Sequence, residues 1–110
     1  MQPKDKGLIW DIKKAANEIG IFLKDISYSD FVNDKKTRYA IERQLLVIGE
    51  AANHLSDELK REYSQIQWKR MIGLRNVLAH EYGEILIDRI WNICQTSIPE
   101  LMILIDQINV

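Results

Sequence analysis

One cysteine, two prolines and five glycines stand among 110 residues, and each scarcity excludes something. The lone thiol, Cys94, rules out an internal disulfide and a cysteine metal cluster, and its apolar helical position fits core packing. Prolines only at 3 and 99 leave most of the chain open to helix. Of the two histidines, His54 and His80, no metal-ligand spacing links one to the other, so neither a metal nor a cofactor is implied. No apolar run approaches the roughly 20 residues that span a bilayer. Met1 leads into a polar stretch through Lys6 with no apolar signal core, so a cytoplasmic protein away from membranes is expected. No two-residue hairpin turn separates alternating runs, and there is no internal repeat.

What remains is a chain of 46% apolar and 28% charged residues, expected to form a single domain over residues 1–110. The net charge of −1 gives no global attraction to nucleic acid. Its distribution is uneven. Residues 35–75 carry nine Lys/Arg against five acids, a local +4, whereas residues 76–110 carry one Arg against five acids, a local −4. This suits a basic rim near residues 75–82 and an acidic helix elsewhere, but charge alone favours ordinary solvated helix faces.

The apolar spacing is helical. Leu8, Ile12, Ala15, Ile19, Phe22 and Ile26 step by 4, 3, 4, 3 and 4, and Ile41, Leu45, Ile48, Ala52 and Leu55 repeat the pattern. Ile87, Ile90, Cys94, Ser97, Leu101, Leu104 and Ile108 give a third stripe. Long helices are predicted over 6–26, 35–55 and 85–108. Residues 27–31 read as a connection, with Asn33 or Asp34 capping the second helix. Ser56 caps a short helix to about Tyr63, and a fourth substantial helix runs from Trp68 to His80, stopped by Gly83. Pro99 predicts a bend near Gln95–Pro99. Gly49, Ala51 and Ala52 form a small-residue patch that Gly73 could face. The predicted architecture is an all-α antiparallel four-to-five-helix bundle.

Arg75-Asn76-Val77-Leu78-Ala79-His80-Glu81-Tyr82 is the densest chemistry in the chain. A guanidinium holds phosphate oxygens with a rigid fork of donors, and a neutral imidazole accepts a proton from a hydroxyl. Asn76 and His80 are four apart, on one helical face; Arg75 and His80 are five apart, about 140° around an ideal helix. They meet on one phosphate only if His80 sits in a frayed turn or if a second protomer brings its own copy, and a two-fold interface does the latter. The chemistry this would serve is attack of an RNA 2′-hydroxyl on its own phosphate. His80 would be general base or acid, Arg75 would stabilise the pentavalent charge and favour neutral His80, and Asn76 would orient His80 or the phosphate. Glu81 is expected to face solvent. The same residues also fit a plain helix end, with His80 on the negative pole of the dipole.

Taken with Asp11-Ile12, Ile48-Gly49-Glu50-Ala51-Ala52-Asn53, Trp68 through Asn76, Ile90-Trp91 and Pro99-Glu100-Leu101, the motif resembles the HEPN superfamily, and within it the HepT-like branch. The resemblance covers nearly the whole chain. It implies a dimerising helical bundle whose Arg-x4–6-His motif, here Arg75 and His80, forms a composite metal-independent ribonuclease site between protomers. It also implies the toxin half of a toxin–antitoxin pair. The partner of such toxins is a minimal nucleotidyltransferase, MntA-like, that silences them by AMPylation of a tyrosine corresponding to Tyr82. An adenylate there would crowd the Arg75 anion site with negative charge. Gln67, where relatives often carry proline, and Gly83-Glu84-Ile85 after Tyr82 depart from the family pattern, the second bearing on partner choice.

The remaining candidates are weaker. His54 reads as a surface or capping residue, Trp10, Trp68 and Trp91 as core or interface anchors, and Arg38 and Arg43 either as an RNA path or as a solvated face. The competing function is a non-catalytic nucleotide- or substrate-binding subunit that serves a minimal nucleotidyltransferase.

Overall fold

Helix α1 (Pro3–Leu23) starts with proline at its first position, where a missing N–H costs nothing. The computed structural model describes residues 1–109. The buried stripe of α1 is Asp5, Ile9, Ile12, Ala15, Ala16 and Ile19. Leu8 and Phe22, expected on that stripe, lie at its margins, half-buried and 37% exposed. The cause is Asp5. Its carboxylate accepts the Ser56 N–H and Oγ–H at 2.9 and 2.6 Å and the Gln2 N–H at 2.9 Å. These bonds fix the rotation of α1 about its axis. They also tie its N-terminus to the end of α3 (Lys35–His54), so the two long helices run antiparallel.

Residues 27–34 are more than a connection. They contain α2 (Tyr28–Asn33), whose first turn is closed by Ser27 Oγ accepting the Asp30 N–H at 3.1 Å. Phe31 is fully buried beside Trp91, ring centroids 5.2 Å apart, and Tyr28 meets Trp91 edge-on at 5.7 Å. Arg38 lines no RNA path: it is buried, and its guanidinium donates to the carbonyls of Phe31 (3.2 Å) and Val32, capping the C-terminus of α2. Asp34, not Asn33, caps α3, accepting the Thr37 N–H at 3.1 Å. The predicted stripe of α3 is buried throughout, from Ile41 to Leu55.

Ser56 caps α4 (Asp57–Glu62), accepting the Leu59 N–H at 3.2 Å. The next predicted helix is two pieces, α5 (Trp68–Ile72) and α6 (Leu74–His80), joined at Gly73. Both lie against α3. A Cβ on Gly49 would stand 3.0 Å from the Met71 carbonyl, so close approach at Gly49 is real. Gly73 is not its counterpart; the nearest atoms to a Cβ there are the carbonyls of Lys69 and Arg70 in its own turn. Nor does Gly83 stop α6. The helix ends because Glu81 and Tyr82 are extended, and Gly83, at φ +64°, instead turns the chain into α7 (Gly83–Asn92).

Helix α7 continues through a π-helical turn (Ile93–Ser97) into α8 (Ile98–Ile105). The Ile98 N–H reaches the Ile93 carbonyl, five residues back, so one extra residue is wound in just before Pro99. The π turn falls where the bend was expected, and it shifts the register: Ile98 and Ile105 are buried where the even spacing pointed to Ser97 and Leu104. Helix α8 packs back on α1, and the buried apolar side chains form one cluster. No strand occurs among the described residues, and no helix is long and apolar enough to cross a membrane.

Candidate functional site

Helix α6 has one buried residue, Leu74; Val77 and Leu78 are half-buried, Leu78 against the core, and the opposite face is in solvent. Arg75, Asn76 and His80 are all exposed, and Tyr82, in the extended stretch that follows, is 81% exposed. The helix is intact to its end, with the Glu81 N–H bonded to the Val77 carbonyl at 3.0 Å. His80 is thus not on a frayed turn. Arg75 and His80 keep the divergence of about 140° that five helical steps impose. No hydrogen bond or ion pair joins them among the described residues. Asn76 and His80 share a face, as their spacing predicts.

Two carboxylates flank the motif, and neither was assigned a role from sequence. Glu81, half-buried at the surface, accepts from Arg89 Nε and Nη2 at 3.3 and 3.2 Å, fastening the α6–α7 turn with the one basic residue of the acidic C-terminal third. Glu50, on α3, lies 3.2 Å from Arg75 Nη1 through Oε1 and 3.9 Å from His54 Nε2 through Oε2. The signal in the sequence was the adjacent Gly49, which lets α5 and the start of α6 come close enough for Glu50 to reach Arg75. His54, the last residue of α3, is exposed, as expected of a helix-end histidine.

A groove between α1 and α3 continues from this ion pair, lined by Asp11, Arg43, Val47, Glu50 and His54. Arg43 is exposed within it. On the far side of α6, an open groove lies against α7 and the π turn, with Arg70, Val77, Asp88, Arg89 and Asn92 on its walls. Lys69 and Arg70 on α5 are exposed, as is Arg75 on α6. Among the described residues no group of three His, Cys, Asp or Glu side chains is arranged to hold a metal ion. Of the tryptophans, Trp68 is buried and donates Nε1–H to the Tyr63 carbonyl at 3.1 Å, whereas Trp10 is 57% exposed and carries Lys14 Nζ 5.0 Å above its ring. Cys94 is buried among apolar groups, which pushes its thiol up to about 12 and leaves it un-ionised and inert.

An all-α bundle that displays arginine, amide and imidazole on one short surface helix, with a phenol just beyond its end, is of the HEPN type. The chain belongs to the HepT-like ribonuclease family, whose sequence profile, "Ribonuclease HepT-like", matches residues 12–108. Two relatives show how far the likeness extends. A Methanocaldococcus jannaschii protein provisionally named as an RNase is 38% identical over 96 residues, covering 87% of this chain and 88% of its own. A Thermococcus cleftensis protein named "Probable ribonuclease HepT" is 34% identical over 101 residues, covering 92% of each chain. No solved structure matches the chain.

Proposed function

We propose that this protein is a metal-independent endoribonuclease, the toxin of a toxin–antitoxin pair, whose site is completed only when two copies associate. The observation that carries this reading is the intact helix α6. It holds Arg75 and His80 exposed yet turned apart, so a second copy must supply the group that each lacks. Family membership and the names of the relatives support the ribonuclease part.

In the proposed reaction the RNA 2′-oxygen attacks the adjacent phosphorus as His80 of one protomer takes its proton. The P–O5′ bond breaks, and the departing 5′-oxygen takes a proton from an imidazolium or from water. The products are a 2′,3′-cyclic phosphate and a 5′-hydroxyl. Arg75 holds the non-bridging oxygens as charge builds on them, and Asn76, on the His80 face, orients the imidazole or the phosphate. Tyr82, beyond the helix end, is the acceptor for AMPylation by a minimal nucleotidyltransferase. An adenylate on its exposed phenol would set a phosphate near the cations that RNA needs.

Cleavage of RNA by the purified protein in EDTA is the test. The wild type should yield cyclic-phosphate ends, and His80→Ala and Arg75→Ala should each lose about 10²-fold or more. Undiminished cleavage by His80→Ala would overturn the catalytic assignment. The exposure of Tyr82 also favours a second reading, a non-catalytic nucleotide- or substrate-binding subunit of that nucleotidyltransferase. It predicts a tight complex with the partner and no RNA cleavage at any protein concentration.

A further inference from the structure

We infer that Glu50 is the positioning residue for Arg75: it holds one arm of the guanidinium and leaves the other edge presented to a phosphate. The inference rests on the ribonuclease reading above and deepens it. A free arginine on a surface helix samples many rotamers, and each transition-state contact it makes must first overcome that freedom. Arg75 is not free. Its Nη1 lies 3.2 Å from Glu50 Oε1, and among the described residues Glu50 is the one carboxylate paired with it. No hydrogen bond to the Nε or Nη2 of Arg75 occurs among the described residues, so the edge of the fork used for bidentate phosphate contact is open.

The backbone explains why Glu50 can do this. Gly49 brings α3 so near α5 that a Cβ would stand 3.0 Å from the Met71 carbonyl and 3.8 Å from the Arg75 nitrogen. The neighbouring side chain then meets the first turn of α6 instead of reaching into solvent. The second oxygen of Glu50 lies 3.9 Å from His54 Nε2, one helical turn along α3, beyond hydrogen-bond reach. Because both partners are well exposed, the pair contributes little to folding stability, so its removal reads out at the site and not in the fold.

Two measurements on the full chain test this. In steady-state RNA cleavage, Glu50→Ala should lower kcat about tenfold with KM within about twofold, and Glu50→Gln, which keeps an acceptor oxygen at the same reach, should recover most of the loss. Glu50→Ala added to Arg75→Ala should lower the rate no further, since it acts through Arg75. An equal loss in both backgrounds, or an unchanged kcat, overturns the inference. Independently of activity, 15N NMR of labelled arginine should find the Arg75 Nε–H rigid in the wild type, mobile in Glu50→Ala and rigid again in Glu50→Gln. Equal mobility in wild type and Glu50→Ala overturns the inference. A wild type that cleaves no RNA but shows the NMR difference overturns the ribonuclease reading and leaves the Glu50–Arg75 contact standing.

Discussion

Tyr82 and Asp5 are opposite cases of a polar side chain held by its backbone. Tyr82 sits between the end of α6 and the left-handed Gly83, with φ −154° and ψ 175°, and this extended geometry turns its phenol outward. Incubation with the partner nucleotidyltransferase and ATP should therefore add AMP mass to the wild type and none to Tyr82→Phe, while Tyr82→Phe keeps its RNA cleavage within about twofold. An AMP adduct on Tyr82→Phe, read by mass spectrometry, would place the acceptor elsewhere. Asp5, by contrast, has no exposed surface. Burial would push its carboxyl up, but the bonds from Ser56 Oγ, Ser56 N–H and Gln2 N–H outweigh burial and hold it below the ordinary carboxylate value. Its folded pKa is thus lower than its unfolded one. The stabilisation it provides is fully present above the unfolded value of 3.8 and is lost as pH falls through the folded value. Asp5→Ala leaves the Ser56 N–H and hydroxyl unmet and should cost about 1–3 kcal/mol at neutral pH. Urea titrations should show that difference narrowing below about pH 4.

Among the elements, the contact of α3 with α5 and α6 bears most directly on the site. Gly49→Ala gains up to about 1 kcal/mol of helix propensity, but its Cβ meets a backbone carbonyl at 3.0 Å, which moves only if a whole helix moves. The net should be destabilising by about 1 kcal/mol, a fall in Tm of about 4–8 °C, with a loss of cleavage larger than stability explains, because Glu50 moves away from Arg75. An unchanged Tm and rate would mean that the close approach places no demand on the helices. The three long helices and the caps at Ser56 and Asp34 were legible because they rest on local spacing and local hydrogen bonds. Helix α2 was too short for periodicity, although Ser27 and Asp30 spelled out its capping box. The π turn escaped because an even apolar spacing cannot reveal one extra residue until the stripe on each side is seen packed. Arg75, His80 and Tyr82 stood out by residue type, whereas Glu50 and Arg38 did not. Their roles depend on partners 25 and seven residues away, brought near only by tertiary packing.

At the scale of the whole molecule, the polar edge of α6 points away from the core, and the α6–α7 groove beside it is open. If each site takes Arg75 from one protomer and His80 from the other, mutations in the two residues have a distinctive arithmetic. A heterodimer of Arg75→Ala with His80→Ala carries both defects in one of its two sites and neither in the other. Random mixing makes half of the dimers heterodimers, and each has one intact site, so the mixture should recover about a quarter of the wild-type rate from two parents that are each inactive. A site built within one chain predicts something different. Every site in the mixture would then carry one defect, and mixing would restore nothing. The experiment needs only subunit exchange, confirmed by mass spectrometry of differently tagged chains, and an RNA cleavage assay. No recovery after verified exchange would require Arg75 and His80 to converge within one chain, and α6 would have to unwind for that to happen.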